Sequence, residues 1–98
     1  MDFPKIETDF NGFLERDLLC LAHCFTPLDH TGQKVELSAG RYVIAFSPDV
    51  DEDGNPEFLV ASGVVELSPR EVAHLGSIWS LRVDERGVRY LASLDEAD

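Results

Sequence analysis

The run "RYVIAF", residues 41–46, is apolar at both parities: Tyr42, Ile44 and Phe46 share one, Val43 and Ala45 the other. Successive side chains of a strand point to opposite faces, so a strand apolar on both must be covered on both. The run therefore predicts a central strand of a small barrel. From residue 35 onward, β-like runs alternate with turn signals, in the order "KVEL", "SAG", "RYVIAF", "DVDEDGNPE" and "FLVASGVVEL". That spacing predicts an antiparallel sheet. Gly63 falls inside the last run, and a strand glycine weakens pairing unless the sheet bends there, which predicts a bulge or barrel corner.

"LSPREVAHLG", residues 67–76, predicts a short helix over 69–75. Ser68 is placed to cap, Pro69 suits the first helical position, Glu71 completes a capping box, Leu67 and Val72 staple the start, and Gly76 supplies the left-handed residue that ends it. "SIWSLRV" and "GVRYLASL" flank "DERG", where Gly87 allows the positive φ of a bulge-closed turn, so a final hairpin is predicted. The first quarter reads two ways. Phe10, Phe13, Leu14, Leu18, Leu21 and Phe25 recur at helical spacing behind Asp9, whereas "DLLCLAHCF" reads as a buried strand. A strand over 18–25 is preferred, because "TPLDHTGQ" then forms a turn-rich connection into "KVEL", as in an opening hairpin. Residues 1–12 form an N-terminal arm, and it and the acidic tail at 95–98 are the candidates for disorder.

The expected architecture is mainly β: one domain over 1–98, five or six antiparallel strands in an SH3-like or half-open barrel, and one short helix. A chain of 98 residues, 44% hydrophobic, has material for one modest core. It contains no apolar run of signal-peptide or membrane-spanning length, so a soluble, cytoplasmic protein is expected.

Eight basic against nineteen acidic residues give a net charge of -11. Such a surface repels phosphate backbones and anionic membranes, which argues against nucleic-acid and membrane partners and for a basic or neutral protein partner. The charge is uneven, since residues 77–92 carry Arg82, Arg86 and Arg89 against Asp84 and Glu85, and the predicted final hairpin is the one place for an acidic partner to dock.

The acids are densest in "DVDEDGNPE", residues 49–57. Against the calcium-loop pattern, Asp49, Asp51, Asp53 and Gly54 fill the first, third, fifth and sixth positions and Glu57 the ninth, but the twelfth is Val60 instead of a bidentate glutamate. The flanks also read as strands where helices are needed. The segment is better read as a solvated loop between strands, whose Asp49, Asp51, Glu52, Asp53 and Glu57 form a contact surface for a positively charged partner. Cys20, His23, Cys24 and His30 are competent zinc ligands, yet their spacing matches no usual paired-ligand pattern, and on a strand His23 points away from both cysteines. Packing is the simpler reading for the cysteines.

His23, His30 and His74 occur without a glycine-flanked nucleophile, phosphate loop or metal-binding helix motif, so no catalytic residues, metal or cofactor are assigned and the chain is not expected to be an enzyme. Phe46, Phe58, Trp79, Tyr42 and Tyr90 lie in predicted strands and serve the core. Phe3, Phe10 and Phe13 precede the first strand and must cover either their own barrel or a neighbour's, which makes them the candidate homodimer contact. The leading expectation is a small acidic interaction module: a regulator, accessory subunit or inhibitor. The alternative is a weak divalent-metal protein using the 49–57 loop or the Cys20/His23/Cys24/His30 cluster, and a small enzyme ranks last.

Overall fold

The structure is a computed structural model that describes residues 3–22, 26–70, 76 and 78–97. Its strands are β1 (Lys5–Glu7), β2 (Leu18–Ala22), β3 (Tyr42–Val50), β4 (Pro56–Leu67), β5 (Trp79–Val83) and β6 (Arg89–Leu91), followed by a 3-10 turn at Leu94–Glu96. They form one curled half-barrel sheet in the order β1-β3-β4-β5-β2, with β6 also paired to β4.

The doubly apolar β3 lies inside this sheet, between the edge strand β1 and the central β4, and each of its parities enters a different core. Val43 and Ala45 join Ile6, Leu19, Leu21, Ala61, Val65, Leu81 and Val83 on one face. Ile44 and Phe46 join Val60 and Ala97 on the other, with Phe3, Phe58, Leu91 and Leu94 packed against them. Gly63 pairs in register with Val43 on one side and Val83 on the other, with no bulge at that residue. A Cβ there would overlap the backbone carbonyl of Arg82, so only glycine lets β5 approach β4 at this point.

Pairing departs from the sequence reading in three places. Residues 5–7 of the arm form β1, and it runs parallel to β3, pairing Lys5 with Ile44 and Glu7 with Phe46. The long connection between these strands, which includes β2, makes the parallel return possible. The expected strand at 18–25 is present as Leu18–Ala22, with 23–25 outside the described residues, but its partner is β5 and not "KVEL". Val35 and Leu37 are buried without belonging to a strand; Val35 N–H donates to Pro27 O and Asp29 N–H to Gln33 O, closing a small hairpin of their own. Alternation was enough to aim Val35 and Leu37 inward, and it carries no information about the neighbouring ladder.

The third departure is the final hairpin. β5 and β6 do not pair with each other; both lie on the same edge of β4, Val83 opposite Gly63 and Arg89 opposite Val60. Residues 84–88 loop out opposite Ala61 and Ser62, with Asp84 N–H donating to Ser62 O, so β5 and β6 act as one strand interrupted by a large bulge. A twelve-residue β4 offers an edge long enough for both. The predicted helix at 69–75 falls almost wholly outside the described residues, although Arg70 is helical and Gly76 has the expected positive φ of 93°. The tail is placed as far as Ala97: Ser93 Oγ accepts from Asp95 N–H, and Ala97 is fully buried.

Candidate protein-contact surface

The segment 49–57 is the far end of the β3–β4 ribbon. Asp49 pairs with Glu57 and Val50 with Pro56, and the chain reverses through residues 51–55. The reversal is built by Asp51. Its backbone carbonyl accepts from Gly54 N–H at 3.0 Å, and its Oδ1 accepts from the backbone N–H of Asp53 at 2.9 Å and of Asn55 at 2.8 Å. Gly54 takes a φ of 84°, as a turn with a left-handed closing residue requires.

The same device recurs. Asp29 with Gly32 and Asp84 with Gly87 repeat the side-chain acceptor, the carbonyl acceptor and the positive φ, and Asp9 with Gly12 repeats the two hydrogen bonds. Asp-x-x-Gly is thus this chain's turn unit, and it accounts for much of the resemblance of 49–57 to a calcium loop. The local hydrogen bonds of Asp51 do the work that the aspartates of a metal loop do with an ion. Among the described residues, no group of three or more His, Cys, Asp or Glu is gathered closely enough to hold a metal ion.

Residues opposite each other in a ladder share a face, so the end of the ribbon has two characters. Pro48, Val50, Pro56 and Phe58 share one face, and Asp49 and Glu57 the other. Val50 is 60% exposed. Asp49 and Glu57 are a like-charge pair held together by register. Partial desolvation, then the hydrogen bond and repulsion from Asp49 and the charge of Asp51, hold the Glu57 pKa above the usual glutamate value.

Among the described residues, no arginine is ion-paired to this surface. Arg82 is ion-paired to Glu66 at 3.0 Å, Asp17 at 2.9 Å and Glu15 at 3.4 Å, which raises its already high pKa. Arg86 holds Asp84 at 3.0 Å and donates to the Tyr42 hydroxyl at 2.8 Å. Arg89 donates to Ser62 Oγ at 2.8 Å. Arg82 and Arg86 are thus already paired with carboxylates, in place of the acidic-partner site expected at 77–92. Partial burial pushes the Asp84 pKa up, but hydrogen bonds from Tyr42 and Arg86 outweigh it and leave it below the usual aspartate value.

Of the cysteine–histidine cluster, Cys20 is half-buried on β2 and His30 is exposed in the Asp29–Gln33 turn, where they line different cavities; His23 and Cys24, like His74, lie outside the described residues. The three early phenylalanines separate. Phe3 meets Tyr42 edge-to-face, ring centroids 4.6 Å apart, Phe10 packs on the main core, and Phe13 is 36% exposed. Sequence reasoning missed the apolar face of the ribbon end, although Pro48, Val50, Pro56 and Phe58 are all visible at strand spacing once the turn is placed at 51–55.

The chain matches no protein-family model, no curated protein and no solved structure. No described helix is long and apolar enough to cross a membrane.

Proposed function

We propose that this protein is a small acidic interaction module, a regulator, accessory subunit or inhibitor, that docks the end of its β3–β4 ribbon on a basic protein partner. One observation carries the reading: Asp49, Asp51, Glu52, Asp53 and Glu57 converge on a hydrogen-bonded turn, and among the described residues none has an ion-pair partner, while Arg82 and Arg86 are engaged elsewhere. Fixed carboxylates on a rigid hairpin give a cationic partner a coherent field to follow, and the exposed Val50 between Pro48 and Pro56 supplies apolar area that lengthens the contact once made. β4 runs twelve residues and the molecule's longest dimension is 40 Å, which fits a ribbon that carries its end away from the core.

Affinity capture from the source cell at low and high salt, with the wild type beside an E52Q/D53N/E57Q variant, tests this. The variant leaves Asp51 and therefore the turn in place. The expected partner is retained by the wild type at low salt, released at high salt, and not retained by the variant. Equal retention by both proteins overturns the proposal.

A further inference from the structure

The outer edges of the sheet are closed in different ways. β1 takes the segment 28–30, with Lys5 O accepting from His30 N–H and Ile6 bridging Asp29. β2 takes the segment 12–14, with Cys20 N–H donating to Gly12 O and Leu14 N–H to Leu18 O. At the ribbon end the closure is chemical. Ile44 N–H donates to Pro4 O and Phe46 O accepts from Thr8 N–H, so even-numbered residues of β3 turn their backbone groups toward β1, and past the end of β1 that row comes to Pro48. Ser62 O accepts from Asp84 N–H, so even-numbered residues of β4 turn theirs toward β5 and β6, and past the end of β6 that row comes to Pro56. A proline has no N–H to offer an added strand, and both stand at the edge positions where that matters.

β6 has no such cover. Arg89 and Leu91, opposite Val60 and Phe58, exchange bonds with β4, and Tyr90 between them turns its own N–H and C=O away from β4. Among the described residues neither group has a hydrogen-bond partner. The side chains beside this edge are apolar and open: Tyr90 is 65% exposed and Val88 39%, and Val88 shares a cavity with Phe13. Residues 84–92 carry two arginines and two acids, a balance unlike the net -11 of the whole chain.

We infer that β6 is the contact between two copies of this chain, which pair their β6 edges antiparallel about a two-fold axis beside Tyr90. A strand whose middle residue faces outward is self-complementary: Tyr90 meets its own counterpart through two N–H···O=C bonds, and Arg89 meets Leu91. Charge favours a second copy as the occupant. Two chains of net charge -11 approach with least repulsion where acids and arginines balance, and antiparallel pairing sends their acidic ribbon ends in opposite directions, because β4 is antiparallel to β6 in each. Val88 flanks the junction, and so does Phe13, one of the three phenylalanines expected to serve a homodimer. The contact does not depend on the ribbon end having a partner.

Sedimentation equilibrium of the wild type and of Tyr90→Pro, from about 10 µM to about 1 mM at low and high salt, tests this. The substitution removes an outward N–H and no bond of the fold, as Pro48 and Pro56 do at the ribbon end. The wild-type mass is expected to climb from one chain toward two as concentration rises. High salt should strengthen the association, since screening relieves repulsion between like-charged copies, which is the opposite of the salt loss expected of the ribbon end. Tyr90→Pro should stay at one chain, or need at least about tenfold higher concentration to pair. Deuterium exchange at the wild-type Tyr90 amide should slow at the high-concentration end, a readout that does not require the variant to fold. A wild type of one-chain mass at every concentration overturns the inference, with an extended segment of another protein as the remaining occupant of the edge. So does a dimer in which the Tyr90 amide exchanges no more slowly, or a folded Tyr90→Pro that dimerises like the wild type.

Discussion

Asp49 and Glu57 stand directly opposite each other in the β3–β4 ladder, one carboxyl facing the other. The pair is electrostatically unfavourable and is held together by the register of the ribbon. Because Glu57 has a folded-state pKa above its usual 4.5, the stability associated with it is present below that value and is lost as pH rises through the folded value. Glu57→Gln is therefore expected to raise the melting temperature at neutral pH, with the gain shrinking to nothing as pH falls below about 4.5. The same substitution is expected to weaken partner capture. Thermal melts at several pH values check the first part, and equal melting temperatures at neutral pH would contradict it.

Asp84 behaves in the opposite sense. Its folded pKa lies below 3.8, so its contribution is fully present above that value and disappears as pH falls through the folded one. Asp84→Asn is expected to cost about 1–2 kcal/mol at neutral pH, since Asp84 is partly exposed and its hydrogen bonds to Tyr42 and Arg86 are charge-assisted. Urea unfolding should show that cost narrowing only below pH 3.8.

Gly63→Ala tests the close approach of β4 and β5. The added methyl would meet backbone rather than a movable side chain, so a loss of about 1–3 kcal/mol or more is expected in denaturant unfolding. A neutral result would mean that β5 lies farther from β4 than described.

Asp51 and Asp53 separate a turn from a metal site. Asp51→Ala removes the acceptor of two backbone N–H groups and should cost about 1 kcal/mol, whereas Asp53→Ala should change stability by less than about 0.5 kcal/mol. If the aspartates served a metal, both substitutions would abolish a calcium-induced rise in melting temperature; no such rise is expected in the wild type at any calcium concentration below about millimolar.

Much of the candidate surface was legible before the fold. The density of acids at 49–57 and the strands on either side of it were plain in the residues, and so was the missing calcium ligand at Val60. The structural role of Asp51 was equally accessible, because Asp-x-x-Gly occurs at 9–12, 29–32, 51–54 and 84–87, and each instance is a turn. The place of Arg82 among Glu15, Asp17 and Glu66 was not legible, because nothing local relates β5 to the segment before β2 or to the end of β4.

By itself the sequence determined that the chain is mainly β, that the stretches on either side of 51–55 extend, and that its Asp-x-x-Gly segments reverse it. Those properties follow from side-chain alternation, aspartate hydrogen bonding and glycine φ, all of which act over a few residues. Only the tertiary structure decided the partners: β1 parallel to β3, β2 on β5, and β5 and β6 sharing one edge of β4. Any strand with an inward apolar face can satisfy its hydrogen bonds on several edges. The choice among them rests on burial summed over the whole sheet, and the same choice set Arg82 among three carboxylates and, among the described residues, left the ribbon end without an ion pair.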